Sequence, residues 1–189
     1  MQEKLIPGTV LHYSDESGIF SAFKPMIKAA NGLTLGQVCN ITGLGQSTIQ
    51  NWIKRGFVAH PVNKKYFSRQ LARILLISAL RECMQIDRIG ELMKMVNGSA
   101  DDESDDIISE EALYDYLCEI IRCMDSQSLQ HSEAREIIDK TISDYTGPDS
   151  GAKERLTMAL LTMVSAYMSG KLKQEADGYF NKMKELSNK

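Results

Sequence analysis

A single tryptophan, Trp52, and four prolines are spread through 189 residues, and aromatic side chains make up only 7% of the chain. Prolines this sparse leave long stretches free to be helical. No apolar run approaches the roughly 20 residues of a membrane span, and no charged leader precedes an apolar core. A cytoplasmic protein without membrane contact is therefore expected. The four cysteines (Cys39, Cys83, Cys118, Cys123) show no C-x-x-C spacing. They are expected to be reduced and buried as small apolar side chains rather than bridged or metal-bound. His12, His60 and His131 are equally dispersed, so no metal site assembles. No nucleophile–base pair, phosphate loop or metal cluster is legible, so neither an enzyme nor a cofactor is expected. Internal repeats are lacking, and one short segment apart, so is strand-like alternation.

Helical periodicity is what remains, and it is most regular between Leu33 and Val96. Thr34 can N-cap a short helix with apolar positions at Leu35, Val38 and Ile41. Gly43 permits the left-handed backbone that ends it. After a short turn, Ser47 to Arg55 forms a second helix, closed by Gly56. Two short helices joined by a glycine turn are the pattern of a helix-turn-helix, whose second helix suits a DNA groove. Phe57 to Ser68 has the length of a wing, with Lys64 and Lys65 between aromatics. Ser68 is then expected to cap an amphipathic helix over Arg69–Cys83 with Leu71, Ile74, Leu75 and Leu80 apolar, followed by another through Ile86, Ile89, Leu92, Met93 and Val96.

This order resembles the winged-helix DNA-binding domain of the MerR family. The residues that carry the resemblance are Leu33-Thr34, Thr42-Gly43-Leu44-Gly45, Ser47 to Arg55, Gly56-Phe57-Val58 with Pro61, Tyr66-Phe67-Ser68, and the helix after Ser68. More specifically, the chain is similar to an uncharacterised bacterial family of short MerR-like proteins. The string Ile49-Gln50-Asn51-Trp52-Ile53-Lys54-Arg55-Gly56, the Lys65-Tyr66 wing and the following acidic run are shared, up to about Leu117. The resemblance implies a winged helix-turn-helix fold. The chain departs from the MerR pattern where that family carries arginines (Ser47, Gln50), a tyrosine (Asn51) and a serine cap (Gly45). Phosphate anchoring on the second helix is thus expected to rest on Lys54 and Arg55.

The net charge of −3 hides an asymmetry. Residues 1–96 hold 12 Lys/Arg against 6 Asp/Glu, a net of +6, and residues 97–189 hold 10 against 19, a net of −9. The basicity coincides with the helix-turn-helix, where phosphate neutralisation needs it. Four segments are expected: an irregular arm and a helix over 1–32, with Pro25 kinking that helix or starting a second piece; the winged unit over 33–98; an acidic linker over 99–106; and an all-helical dimerisation or effector domain over 107–189. The acidic run lacks the glycine and terminal glutamate of a calcium loop, so it reads as a solvated linker. Asp105 or Asp106 would N-cap a helix starting near Ile107. Further helices are expected over 107–124, from Ser132 to Tyr145, and over 152–186, the last as one long helix or as two parted at Ser169-Gly170. Leu156 to Met168 looks apolar enough to form a core or a dimer surface, with Met158, Met163 and Met168 suited to either.

The fold class is mainly α. The expected function is a sequence-specific DNA-binding transcriptional regulator acting as a homodimer on duplex DNA, with an effector or protein partner on the C-terminal half. Helical periodicity turns Ile49, Trp52 and Ile53 inward and Gln46, Ser47, Gln50, Asn51 and Lys54 outward. Gln and Asn can read adenine, and Lys54 and Arg55 suit phosphate or guanine. Lys64, Lys65 and Tyr66 complete the candidate interface. The alternative is a protein-interaction module whose degenerate helix-turn-helix no longer binds DNA.

Overall fold

The computed structural model of the chain describes residues 6–10, 19–102, 104–127 and 133–187. Among the described residues eight α-helices follow in order: α1 (Ile19–Ala29), α2 (Leu35–Thr42), α3 (Gln46–Lys54), α4 (Ser68–Leu80), α5 (Ile86–Asn97), α6 (Glu110–Gln127), α7 (Ala134–Thr141) and α8 (Ala152–Ser187). Among the described residues there is no extended strand. Two isolated antiparallel bridges, Leu33 with Tyr66 and Val62 with Lys65, are the only β pairing there. The mainly helical class expected from the sequence is what is found.

α4 organises the molecule. Ten of its 13 residues are buried, so it is not the one-faced amphipathic helix that its spacing predicts. α1, α2, α5, α6 and α8 all pack around it. Apolar side chains on every side are what such a surrounded helix requires. Its start also differs from expectation. Phe67 stands at the N-cap with its N–H donating to Gln70 Oε1 at 2.9 Å, while Ser68 lies inside the helix and donates to Glu111 Oε1 at 2.6 Å.

A single apolar core runs through both halves of the sequence, from Ile6 and Phe20 to Val164 and Tyr167. The acidic segment does not interrupt it. Asp101, Asp102, Ser104 and Asp105 are exposed, while other groups of the segment contact α4. Arg69 donates from Nε to Glu110 Oε2 at 2.9 Å and from Nη2 to the Asp102 carbonyl at 2.7 Å. Arg73, 3% exposed, donates from Nη1 to Glu110 Oε1 at 2.9 Å. Asn97, fully buried, donates to the Ile108 carbonyl at 2.6 Å. The cap of α6 comes from Ser109, whose Oγ accepts from Ala112 N–H, rather than from Asp105 or Asp106.

The expected irregular arm is packed where it is described. Ile6 and Pro7 are buried, Gly8 abuts the Leu75 carbonyl, and Tyr114 donates its hydroxyl to the Pro7 carbonyl at 2.6 Å. Residues 1–5 and 11–18, and Ser132 with its expected helix start, lie outside the described residues. Pro25 sits within α1 without ending it. α8 is one continuous helix of 36 residues, with no break at Gly170. That glycine is buried against Glu82, whose Cβ would lie 3.1 Å from an added Cβ, so it serves close packing rather than a kink. Leu156, Leu160, Met163 and Val164 face the chain's own core, the first of the two roles expected for Leu156 to Met168, while Met158 is exposed. Among the described residues, no helix is long and apolar enough to cross a membrane.

A candidate nucleic-acid interface on α3 and its hairpin

The geometry of α3 begins with α2. Thr34 Oγ1 accepts from Gln37 N–H at 3.3 Å, and Gln37 Oε1 accepts from Thr34 N–H at 2.8 Å, a reciprocal capping box. Gly43 ends α2 at φ +70°, its N–H donating to the Cys39 carbonyl at 2.8 Å. Leu44, 5% exposed, drops into the core directly afterwards and pins the turn. α3 then starts at Gly45 with no side-chain cap. The Gly45 carbonyl accepts from the N–H groups of Thr48 and Ile49, at 3.1 and 3.4 Å.

Periodicity sorts α3 as its sequence predicts. Ile49, Trp52 and Ile53 are buried, whereas Gln46, Ser47, Gln50, Asn51 and Lys54 are exposed. Gly56, at φ +74°, terminates the helix. The chain then passes through Phe57, whose ring lies against Gly90 of α5. Arg73 Nε donates to the Phe57 carbonyl at 2.7 Å, tying the exit of α3 to the central helix.

The following segment folds into a minimal hairpin. Val62 and Lys65 exchange two backbone hydrogen bonds, at 3.0 and 2.9 Å. The central residues Asn63 and Lys64 have φ of +50° and +63°. Positive φ at both positions is the mark of a type I′ turn, which matches the twist of paired strands. Asn tolerates this backbone, but a lysine there is strained by about 1–2 kcal/mol. The hairpin is fastened by Leu33 and Tyr66, which donate N–H groups to each other's carbonyls at 2.8 Å. An open cleft of about 570 Å³ separates α3 from the hairpin, with Gln50 and Lys54 on one side, Lys64 and His60 on the other, and Ile53 and Tyr66 among its apolar lining.

Not every candidate residue is placed alike. Eight of the nine stand at the surface or beside it: five on α3 are exposed, Lys64 is exposed at the hairpin tip, Lys65 is half-buried, and Arg55 follows α3. Arg55 is also exposed but engaged. Its Nη2 lies 2.7 Å from Asp87 Oδ1 of α5, and its guanidinium stacks 4.7 Å from the Phe57 ring centroid. Tyr66 is only 3% exposed and belongs to the core, where burial, with a smaller contribution from Cys39, raises its phenol above the ordinary value. The aromatic spacing that suggested a contact residue marks a buried anchor instead. Sequence reasoning missed the cleft residues His60 and Pro61, and it missed the Asp87 partner of Arg55, which lies 32 residues away. Of the four cysteines, expected to be buried, Cys118 is buried, Cys39 and Cys123 are half-buried and Cys83 is exposed. Among the described residues no cluster of His, Cys, Asp or Glu could hold a metal ion.

Residues 28–117 match a family described as a domain of unknown function (DUF1836). The match spans α2 to α5 and the first turns of α6, so it includes the whole α3–hairpin surface and the Arg73–Glu110 contact. Its extent agrees with the sequence-level resemblance, which reached about Leu117; the matched description carries no MerR designation. The uncharacterized protein YkrK of Bacillus subtilis (strain 168) is 32% identical over 113 residues, which cover 56% of this chain and 48% of that protein. The chain thus spans about half the length of this curated relative. No solved structure matches.

Proposed function

We infer that the chain binds duplex DNA as a transcriptional regulator, with α3 in the major groove and the 62–65 hairpin against the phosphate backbone. In this reading α2 and α3 form a helix-turn-helix and the hairpin is its wing, as in MerR-like domains. The observation that carries it is the shared outward face of Gln46, Ser47, Gln50, Asn51 and Lys54, opposite Lys64 across the cleft. An α-helix is about 10–12 Å across with its side chains, which fits a major groove about 12 Å wide. Amide side chains read base edges, while Lys54, Lys64 and Lys65 neutralise phosphates. Arg55, held by Asp87, orients the end of α3 rather than serving as a free phosphate ligand.

Lys64→Gly separates this role from folding. Glycine takes the positive φ without strain and completes an Asn-Gly pair, the preferred type I′ turn, so thermal stability should hold or rise. The lost charge should flatten the slope of log affinity against log salt, measured by fluorescence anisotropy on promoter DNA, by about one unit. Genome-wide immunoprecipitation should enrich promoter-proximal sites. Absence of any salt-dependent DNA binding by the full chain would favour the interaction-module alternative, which the engagement of Arg55 by Asp87 supports by taking one cation out of the free set.

A further inference from the structure

From Lys171 to Ser187, α8 leaves the body of the molecule and every residue is exposed. Such a surface should be polar. Instead Leu172, Tyr179, Phe180, Met183 and Leu186 are between 50% and 74% exposed. Four of them, with Ala176, fall in a heptad series, 172, 176, 179, 183 and 186, alternating steps of four and three residues. That spacing places them along one seam, the geometry of a coiled coil rather than of a helix lying on a globular core.

We propose that this projecting segment pairs with the same segment of a second copy in an antiparallel two-helix coil. The inference does not depend on DNA binding. Three features of the seam select this occupant and this orientation. Antiparallel pairing centred between Asp177 and Gly178 sets small Ala176 against large Tyr179 of the partner subunit, and Leu172 against Met183 of the partner subunit, each twice by symmetry. Parallel pairing would stack Tyr on Tyr and leave Ala facing Ala, with a gap. In the antiparallel register Glu175 flanks Lys182 of the partner subunit, twice. Sliding by one heptad in either direction sets Lys182 against Lys182 of the partner subunit, or Glu175 against Glu175 of the partner subunit, so repulsion rejects both slips. Lys173 meets the ring of Phe180 of the partner subunit, a cation–π pairing that resembles the Lys184–Phe180 contact within one helix, at 4.5 Å.

The segment is about 25 Å long, short for a coil. It is nevertheless preformed, because the first half of α8 is locked in the core, and so little ordering entropy opposes association. The contact is isologous and closes as a dimer.

Light scattering on the full chain tests this. The wild type should be a dimer at about 50 µM, a modest requirement for an interface of this size. Tyr179→Lys with Met183→Lys should give a monomer whose circular dichroism melt is unchanged, since both positions are exposed in the protomer. Lys182→Glu alone should weaken the dimer about tenfold, as two attractive pairs become repulsive. Adding Glu175→Lys should restore it. A wild-type monomer, or a dimer that survives the double lysine variant, would overturn the proposal. Failure of the charge swap to rescue would overturn the antiparallel register.

Discussion

Asp106 accepts from Arg69 Nη2 at 3.4 Å through one carboxylate oxygen, while the other is buried with no hydrogen-bond partner. Burial, and next the nearby Glu110, push its pKa up from 3.8 to about 7. The sign of the consequence follows from linkage. Because the folded-state value is raised, the group's contribution to stability is fully present below about pH 4 and is lost as pH rises through about 7. Urea midpoints for the wild type should therefore fall between pH 5 and pH 8 relative to those of Asp106→Asn, which has no carboxyl to ionise. Parallel curves for the two proteins would refute the assignment. None of this was legible in the sequence, where Asp101 to Asp106 reads as a charge run. A carboxylate's neighbours 37 residues away, Arg69 here, leave no local signature. Arg55 and Tyr66 were misplaced for the same reason: the residue types suit DNA, but Asp87 and Leu33 decide where they go.

At the scale of elements the sequence is more informative, because caps and periodicity are local. Thr34, Gly43 and Gly56 mark the ends of α2 and α3 at the residues where the structure has them, and the inward set Ile49, Trp52, Ile53 follows from 3.6-residue spacing. Local signals fail where tertiary contact takes over. Gly170 looks like a helix break until Glu82 is seen against it, and Ser68 looks like a cap until Glu111 is seen to accept from it. α8 illustrates how one helix can hold two regimes. Its buried half supplies the nucleus that a free helix of 17 residues would lack, so the exposed half extends by propagation alone. Amide hydrogen exchange on dilute protein should show protection falling stepwise from Gly170 toward Ser187. At high protein concentration the gradient should flatten as the seam is covered. Full protection at nanomolar concentration would contradict this account of the segment.

For the molecule as a whole, the core shared around α4 makes the two sequence halves interdependent. A chain ending at residue 98 would lose α6 and α8 from the faces of α4 and leave Arg73 without Glu110. Removing one partner of a buried pair alone costs about 3–5 kcal/mol, comparable with a small domain's entire stability. Such a chain should show no cooperative melt by circular dichroism, whereas one ending at Gly170 should melt like the full protein. A cooperative melt from the shorter chain would show that the N-terminal half folds alone. The contacts of the acidic segment with α4 also redistribute charge. Arg69 and Arg73 are spent internally on Asp106 and Glu110, so the cations left exposed near α3 are Lys54, Arg55 and Lys64. Glu119, Glu133, Glu136 and Asp144 border one cleft on α6 and α7, together with Lys140. The small net charge thus conceals +6 on residues 1–96 and −9 on residues 97–189. On the proposed DNA-binding reading a polyanion attracts the first set and repels the second, and both effects fade as salt shortens the reach of the field.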